Sequence, residues 1–403
     1  MLDVWPALPL VVVFYADHPT GNVENIIAAL ECTDRVCEIV LRIVPSLDLN
    51  IFGAMQQPFP ELKFLELSWQ PSIWEPPLIE TAAVVPDSFL GGSAPRLEGL
   101  VLKGISFSGL PKLLLSATHL RSLFLYSIPR SGYISPDAMV TVLSTLTSLS
   151  HLSLEFESPQ SSPDPASRRP PPSTRFVVPV LTSFSFKGFH EYLEDFVACI
   201  DAPQLNALHI TFLNDIVFHT PQLVRFISHA PMWKALKNAY INLKDYVARV
   251  RFSSRAPRHG DFSVEILCIG LDRQVSFLEQ VCTSYLPPLS VLEDLYFYFY
   301  DNSYLQPESI ENRRWLGLFR SFMAVKNLYL SEKSVSRIAP ALQELVEGRT
   351  TEVLPALQNI FMKGLGSSES SVHESIRKFV AAREVANHPI GISPWADSQE
   401  GEV

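Results

Sequence analysis

The feature that most constrains this chain is a spaced apolar triplet, L-x-x-L-x-L, that returns from one end to the other. In "LEGLVLKGISFSGLPKLLLSATHLRSLFLYSI", residues 97–128, it occupies Leu97, Leu100 and Leu102, then Leu120, Leu123 and Leu125. With other apolar residues allowed for leucine, it fits Val36/Ile39/Leu41, Leu62/Leu65/Leu67, Leu149/Leu152/Leu154 and Leu181/Phe184/Phe186. Past mid-chain it continues as Leu205/Leu208/Ile210, Leu236/Ala239/Ile241, Val264/Leu267/Ile269, Leu292/Leu295/Phe297, Val325/Leu328/Leu330 and Leu357/Ile360/Met362. Twelve units at a mean step of about 29 residues fall at the long end of the leucine-rich-repeat range.

The last L-x-L of each unit alternates with period 2, which places both apolar side chains on one face of a short strand. Several units share a lead-in, P-x-L-x-x-L-x-L, as in "PFPELKFLEL", "SAPRLEGLVL", "VVPVLTSFSF", "DAPQLNALHI" and "VLPALQNIFM". Proline forbids a continuous helix there and suits the end of a loop entering a strand. Between strands lie segments with apolar residues every three to four positions, such as "HEYLEDFVACI" (190–200), where Leu193, Phe196, Val197 and Ile200 form one stripe. The expected fold is α/β: an irregular leucine-rich-repeat solenoid of about twelve repeats, curved, with a parallel sheet on the concave face and helices on the convex face. A doubly wound sheet seldom carries so many units at this period.

On this reading residues 1–387 form a single solenoid domain. Residues 158–175, "SPQSSPDPASRRPPPSTR", are nearly all Ser, Pro, Asp and Arg and read as a disordered loop inserted between repeats. "SSVHESIRKFVAAREVA" (370–386), with Val372, Ile376, Phe379 and Val380 on one side, reads as a capping helix. Residues 388–403 read as a frayed acidic tail.

Composition narrows the function classes. Hydrophobic residues make up 47% and charged residues 18% of the 403, so the bulk of the chain folds. No apolar run reaches the roughly 18 to 20 residues of a membrane helix. "ALPLVVVFY" (7–15) has no basic n-region and no small-residue cleavage site, so an intracellular protein, cytoplasmic or nuclear, is expected. Cys32, Cys37, Cys199, Cys268 and Cys282 are odd in number with no C-x-x-C pair, and read as reduced core thiols. A net charge of −10 argues against nucleic acid and for protein as partner.

Signals of chemistry are weak. Gly91-Gly92 and the G-L-G at 364–366 lack a phosphate-loop context. The ten histidines form no H-x-x-x-H pair, and no G-x-S-x-G elbow occurs. No enzyme, cofactor or metal is expected. Arg249, Arg251, Arg255, Arg258 and His259 make one basic concentration, read as a solvated loop, with a grip on an acidic peptide or phosphate as the alternative.

The residues that alternate out of the core face are more informative. They include Phe124, Tyr126, His209, Tyr296, Tyr298, Tyr300, Tyr329 and Phe361, with "LEDLYFYFYDNSYL" (292–305) the strongest case. Such an aromatic row is either a protein-binding surface on the concave face or is covered by loops and part of the core.

At the N-terminus, "DVWPALPLVVVF" (3–14) followed by "NVENIIAALECTDRVCEIVL" (22–41) resembles the start of the leucine-rich region in F-box proteins of mushroom-forming fungi. The likeness continues through "FPELKFLEL" and "APRLEGLVLKGI" and weakly to the C-terminus. The resemblance implies a substrate-recognition subunit of a cullin-type ubiquitin ligase, in which the F-box binds the ligase adaptor and the repeats hold a protein client. It covers the repeat region alone: "LPLVVVFYADHP" (8–19) is the only counterpart of an F-box, and its β-branched run reads as strand and loop. The expectation is a monomeric, non-catalytic protein-binding module, with a ligase adaptor as partner only where an F-box precedes it. The alternatives are a repeat scaffold unrelated to ubiquitination and, remotely, an enzyme on an unrecognised α/β fold.

Overall fold

A recurring turn delivers the chain into its strands. Leu62, Leu97, Leu205 and Leu357 each donate the backbone N–H to the carbonyl three residues earlier, at Phe59, Ala94, Ala202 and Leu354, over 3.0–3.2 Å. Proline follows the acceptor each time, as Pro60, Pro95, Pro203 and Pro355. That is the second position of a β-turn, where the fixed φ of proline is the one required. Leu120 and Leu149 close the same turn onto Ala117 and Leu146 without proline.

The computed structural model describes residues 8–15, 23–43, 48–69, 83–157, 175–213, 220–230, 236–254, 261–283, 289–300, 311–346, 349–363 and 371–395. All but Arg175 of the expected insertion 158–175 lies outside them, as do Arg255, Arg258, His259, residues 364–366 and the tail beyond 395. The described chain forms two compact units, Met1–Leu205 and Asn206–Val403.

The first unit runs β1 (Leu10–Tyr15), α1 (Val23–Leu30), β2 (Val36–Ile43), α2 (Asp48–Ala54), β3 (Phe64–Trp69) and β4 (Ala83–Val84). It continues through β5 (Gly99–Lys103), β6 (Ile105–Ser106), α3 (Leu110–Ser116), β7 (Ser122–Ile128), α4 (Pro136–Leu143) and β8 (His151–Phe156). The last elements are β9 (Phe176–Val177), β10 (Ser183–Gly188), α5 (His190–Cys199) and β11 (Ile200–Asp201). Strands β1, β2, β3, β5, β7, β8 and β10 lie side by side in one parallel sheet, with β4–β6 and β9–β11 as two short separate pairs.

Register makes the leucine repeat into a core. Ile39, Leu65, Leu100, Leu123, Leu152 and Phe184 face one another strand by strand, and Leu41, Leu67, Leu102, Leu125, Leu154 and Phe186 form the next row. All twelve are buried, each contributing about 1.5–3 kcal/mol. Helices cover this face: Phe196 of α5 meets Phe184 with ring centroids 5.6 Å apart. The predicted stripe Leu193, Phe196, Val197 and Ile200 is buried throughout. The α4 start follows its local code, with Ser135 as cap accepting from the Ala138 N–H at 3.3 Å and Pro136 next.

The second unit runs β12 (Ala207–Phe212), α6 (Pro221–His229), β13 (Leu236–Lys244), β14 (Val247–Ser254), β15 (Asp261–Leu267) and α7 (Leu271–Thr283). Then come β16 (Asp294–Tyr300), α8 (Asn312–Arg320), β17 (Asn327–Leu330), α9 (Glu332–Gln343), β18 (Asn359–Met362), α10 (Ser371–Val385) and β19 (Gly391–Pro394). Its strands are ordered β12-β15-β14-β13-β16-β17-β18-β19. Phe297 of β16 packs beneath the sheet against Phe319 and Trp315 of α8, at 5.4 and 6.1 Å. Both units are α/β, repeat-built and unclosed, as the leucine spacing requires.

Four readings are corrected here. Strand β14 is antiparallel to both of its neighbours, so the sheet is not parallel throughout. The supposed basic loop is, at Arg249 and Arg251, this strand: Ala248, Val250 and Phe252 are buried while the arginines alternate to the other face. The two-residue link Asp245-Tyr246 joins β13 and β14 as a hairpin. In the ninth unit the core residues are Phe262, Val264 and Ile266, paired with the β12 and β14 rows, and Ile269 is 71% exposed. Finally, residues 391–394 of the supposed tail form a strand paired with β18.

Helix α10 caps the second unit as its pattern predicts, with Ile376 and Phe379 buried. Its Arg383 is buried as well, and its guanidinium donates to the carbonyls of Thr350 at 2.9 Å, Leu354 at 3.3 Å, and Pro355 and Leu357 at 3.4 Å. Burial draws its pKa below the usual arginine range. The guanidinium thus clamps the turn that leads into β18.

Candidate functional site

On the sheet face opposite the leucines, strand pairing in the second unit lines up His209, Ser263, Arg251, Tyr240, Tyr296, Tyr329, Phe361 and Ser393, one residue per strand. Four consecutive members are aromatic. Ring centroids of Tyr240 and Tyr296 are 4.6 Å apart, those of Tyr296 and Tyr329 4.2 Å, and those of Tyr329 and Phe361 4.6 Å, all within 10° of parallel. These separations follow from the roughly 4.7–4.9 Å spacing of neighbouring strands, which leaves in-register rings no arrangement closer than a stack.

A fifth ring lies across them. The Trp395 N–H donates to the Met362 carbonyl at 2.8 Å, continuing the β18–β19 pairing. This sets the indole 5.4 Å from Tyr298, 5.7 Å from Tyr329 and 6.0 Å from Tyr296, tilted by 54–63°. Burial pushes the Tyr296 phenol far above the ordinary tyrosine range, and Tyr329, Tyr240 and Asp294 add to the shift. Its hydroxyl is therefore neutral and remains a donor at any physiological pH.

A polar row runs beside the rings on the same face: Asn238, Asp294, Asn327, Asn359 and Gly391. The Asn327 amide donates to Asp294 Oδ1 at 2.6 Å, and the Asn359 amide donates to Asn327 Oδ1 at 2.8 Å. At Gly391 a Cβ would stand 3.2 Å from Asn359 Oδ1, so the row ends where a side chain would crowd it. Asn238 and Asn242 flank Tyr240 on β13. Both are buried, and the Oδ1 of each has no partner among the described residues.

The sequence-derived site residues are distributed unevenly. Tyr296, Tyr329 and Phe361 belong to the stack. Tyr298 and Tyr300 stack on each other at 6.1 Å, with Lys244 Nζ 5.3 Å from the Tyr300 ring. His209 stands at the polar end of the row: its Nδ1 is 2.9 Å from Ser263 Oγ, beside the Arg251–Asp261 and Arg249–Glu265 ion pairs. Burial lowers its pKa, with Asp261 opposing and Arg251 and Arg249 assisting.

Phe124 and Tyr126 belong to the first unit, two residues apart on β7, with rings stacked at 5.8 Å. The Tyr126 phenol is pushed upward by burial and by Glu155, against a hydrogen bond with Ser153.

Sequence reasoning missed Tyr240, Trp395 and the polar row. Tyr240 is legible by the alternation that found Tyr296, since it lies between the core residues Ala239 and Ile241. Trp395 carried no signal in a segment read as tail. Among the described residues no group of three or more His, Cys, Asp or Glu is placed to hold a metal ion, and no helix is long and apolar enough to cross a membrane.

No protein-family model matches the chain, and no curated protein does. Among solved structures it is similar to the leucine-rich repeat-containing protein LegL7 from Legionella pneumophila, at 13% identity and a TM-score of 0.33, over 92% of this chain and 97% of that one.

Proposed function

We propose that this chain is a non-catalytic protein-binding module, and that the outward face of its second unit, centred on Tyr296, Tyr298, Tyr329 and Phe361, holds a protein client. The observation that carries this reading is the in-register stack Tyr240–Tyr296–Tyr329–Phe361. Aromatic rings contribute most of the binding energy where proteins meet, and rings already fixed by stacking lose little freedom on binding. Affinity capture from source cells with the full chain tests it. Tyr298→Ala with Phe361→Ala should abolish recovery of the client while the circular dichroism spectrum is kept; an unchanged set of captured proteins would overturn the reading.

The narrower function, client recognition within a cullin-type ubiquitin ligase, is supported by the resemblance of residues 3–14 and 22–41 to the fungal F-box proteins. It is tested by whether a ligase adaptor and cullin co-purify with the chain expressed together with the coding sequence that precedes it in the genome.

A further inference from the structure

The chain itself partly occupies the outward face of the second unit, and the manner of occupation defines what fits there. Helix α10 is anchored by Ile376, Phe379 and Arg383, and Ile390 is buried behind it. Beyond Ile390 the hold weakens: Gly391 and Pro394 are exposed, Ser393 is half-buried, and Ile392, in register with the buried Ile360 on the core side, is itself only half-buried. What remains is strand pairing, with Gly391 donating to the Gln358 carbonyl and Trp395 to the Met362 carbonyl, both at 2.8 Å, and the indole resting on three tyrosines.

Gly391 and Trp395 donate inward, so alternation sets residues 392 and 394 toward the free edge. Residue 394 is proline, which has no N–H to offer, and the outer edge of β19 is a poor template for a further strand. A strand-adding partner must therefore take the place of β19. The ring stack also ends abruptly: after Phe361 the next residue in register is Ser393.

Taking this face as the protein-binding surface, we infer that residues 391–395 stand in for a partner's segment. The site takes an extended peptide that pairs in parallel with β18. The peptide has glycine opposite Asn359 and an aromatic ring four residues later on Tyr296, Tyr298 and Tyr329. Strand β19 gives way to it. This is strand addition at a sheet edge, with backbone pairing supplying affinity and alternate side chains supplying selectivity. An aromatic side chain at the Ser393 position would extend the stack by one ring and strengthen binding.

The test uses a fluorescent peptide with the chain's own sequence Pro389–Asp397, P-I-G-I-S-P-W-A-D, and the full chain carrying Gly391→Pro and Trp395→Ala. Gly391→Pro removes an inward N–H and Trp395→Ala removes the covering ring. The tethered segment competes at roughly millimolar effective concentration in the unchanged chain, so fluorescence anisotropy should show the peptide binding the double variant at least about tenfold more tightly. A peptide with alanine for tryptophan should lose binding, and one with tyrosine for serine should gain it. No binding to a double variant that keeps the parent's circular dichroism overturns the inference.

Amide hydrogen exchange on the unchanged chain is a second measurement, independent of the variant's folding. Gly391 and Trp395, whose N–H groups face β18, should exchange at least about tenfold faster than Leu328 and Phe361, whose N–H groups are paired between β17 and β18, and equal protection would mean a permanent strand. Should the peptide fail while Tyr298→Ala with Phe361→Ala still loses the client, strand replacement falls and the protein-binding reading stands.

Discussion

The rings of Tyr296 and Tyr329 lie parallel within 9° at 4.2 Å, each on its own strand of the second unit. Tyr240 stacks on the far side of Tyr296 at 4.6 Å. Tyr296 is thus held between two rings and beneath a third.

Removing the Tyr296 ring should carry a stability cost as well as a binding cost. Two stacks at about 0.5–1.5 kcal/mol each predict that Tyr296→Ala lowers the unfolding free energy by roughly 1–3 kcal/mol, measured by urea denaturation, whereas Tyr296→Phe stays near the parent. A full-sized loss in the phenylalanine variant would place the stabilisation in the hydroxyl instead of the stack.

Arg383 should be among the most sensitive residues of the C-terminal cap. Alanine there strands buried carbonyls at Thr350, Leu354 and Leu357, at a cost on the order of 3 kcal/mol or more. Lysine, with one compact ammonium, should fall between alanine and the parent. Thermal melts of the three proteins check the order.

His209 gives the second unit a dependence on pH. Burial lowers its folded pKa below the ordinary imidazole value of about 6.5, so as pH falls the unfolded chain takes up the proton first. Its contribution is present in full above about pH 6.5 and declines as pH drops through the window down to the lowered value. Urea midpoints across that window should fall in the parent, and less steeply in His209→Gln.

Much of the fold is legible in the sequence because one physical rule repeats. Leu65, Leu100, Leu123 and Leu152 are apolar at matching positions because each must face the same core row, and the proline before several units marks the turn. The hairpin broke the rule without breaking the spacing. Leu236, Ala239 and Ile241 fit the template, but Arg249 and Arg251 drew attention to charge and away from Ala248, Val250 and Phe252 alternating between them. The site was half legible for a related reason. Alternation identifies which residues face outward, as at Tyr296 and Tyr329, whereas stacking depends on strand order, and strand order is not a local property. Trp395 reaches the rings only because Gly391 pairs with β18, a contact set by α10 and the Arg383 clamp.

The order β15-β14-β13-β16 has one more consequence. Take away β13 and β14, and β15 would lie next to β16, the sequence of neighbours an uninterrupted repeat array would have. The hairpin is in effect a wedge driven between two rungs, widening the face by two strands, about 10 Å, while α7 packs against its underside at β14. Tyr240, the outermost ring of the stack, rides on that wedge, as do Arg249 and Arg251. The reach and charge of this surface can therefore change through one local insertion, with the number of helical repeats behind it left as it was.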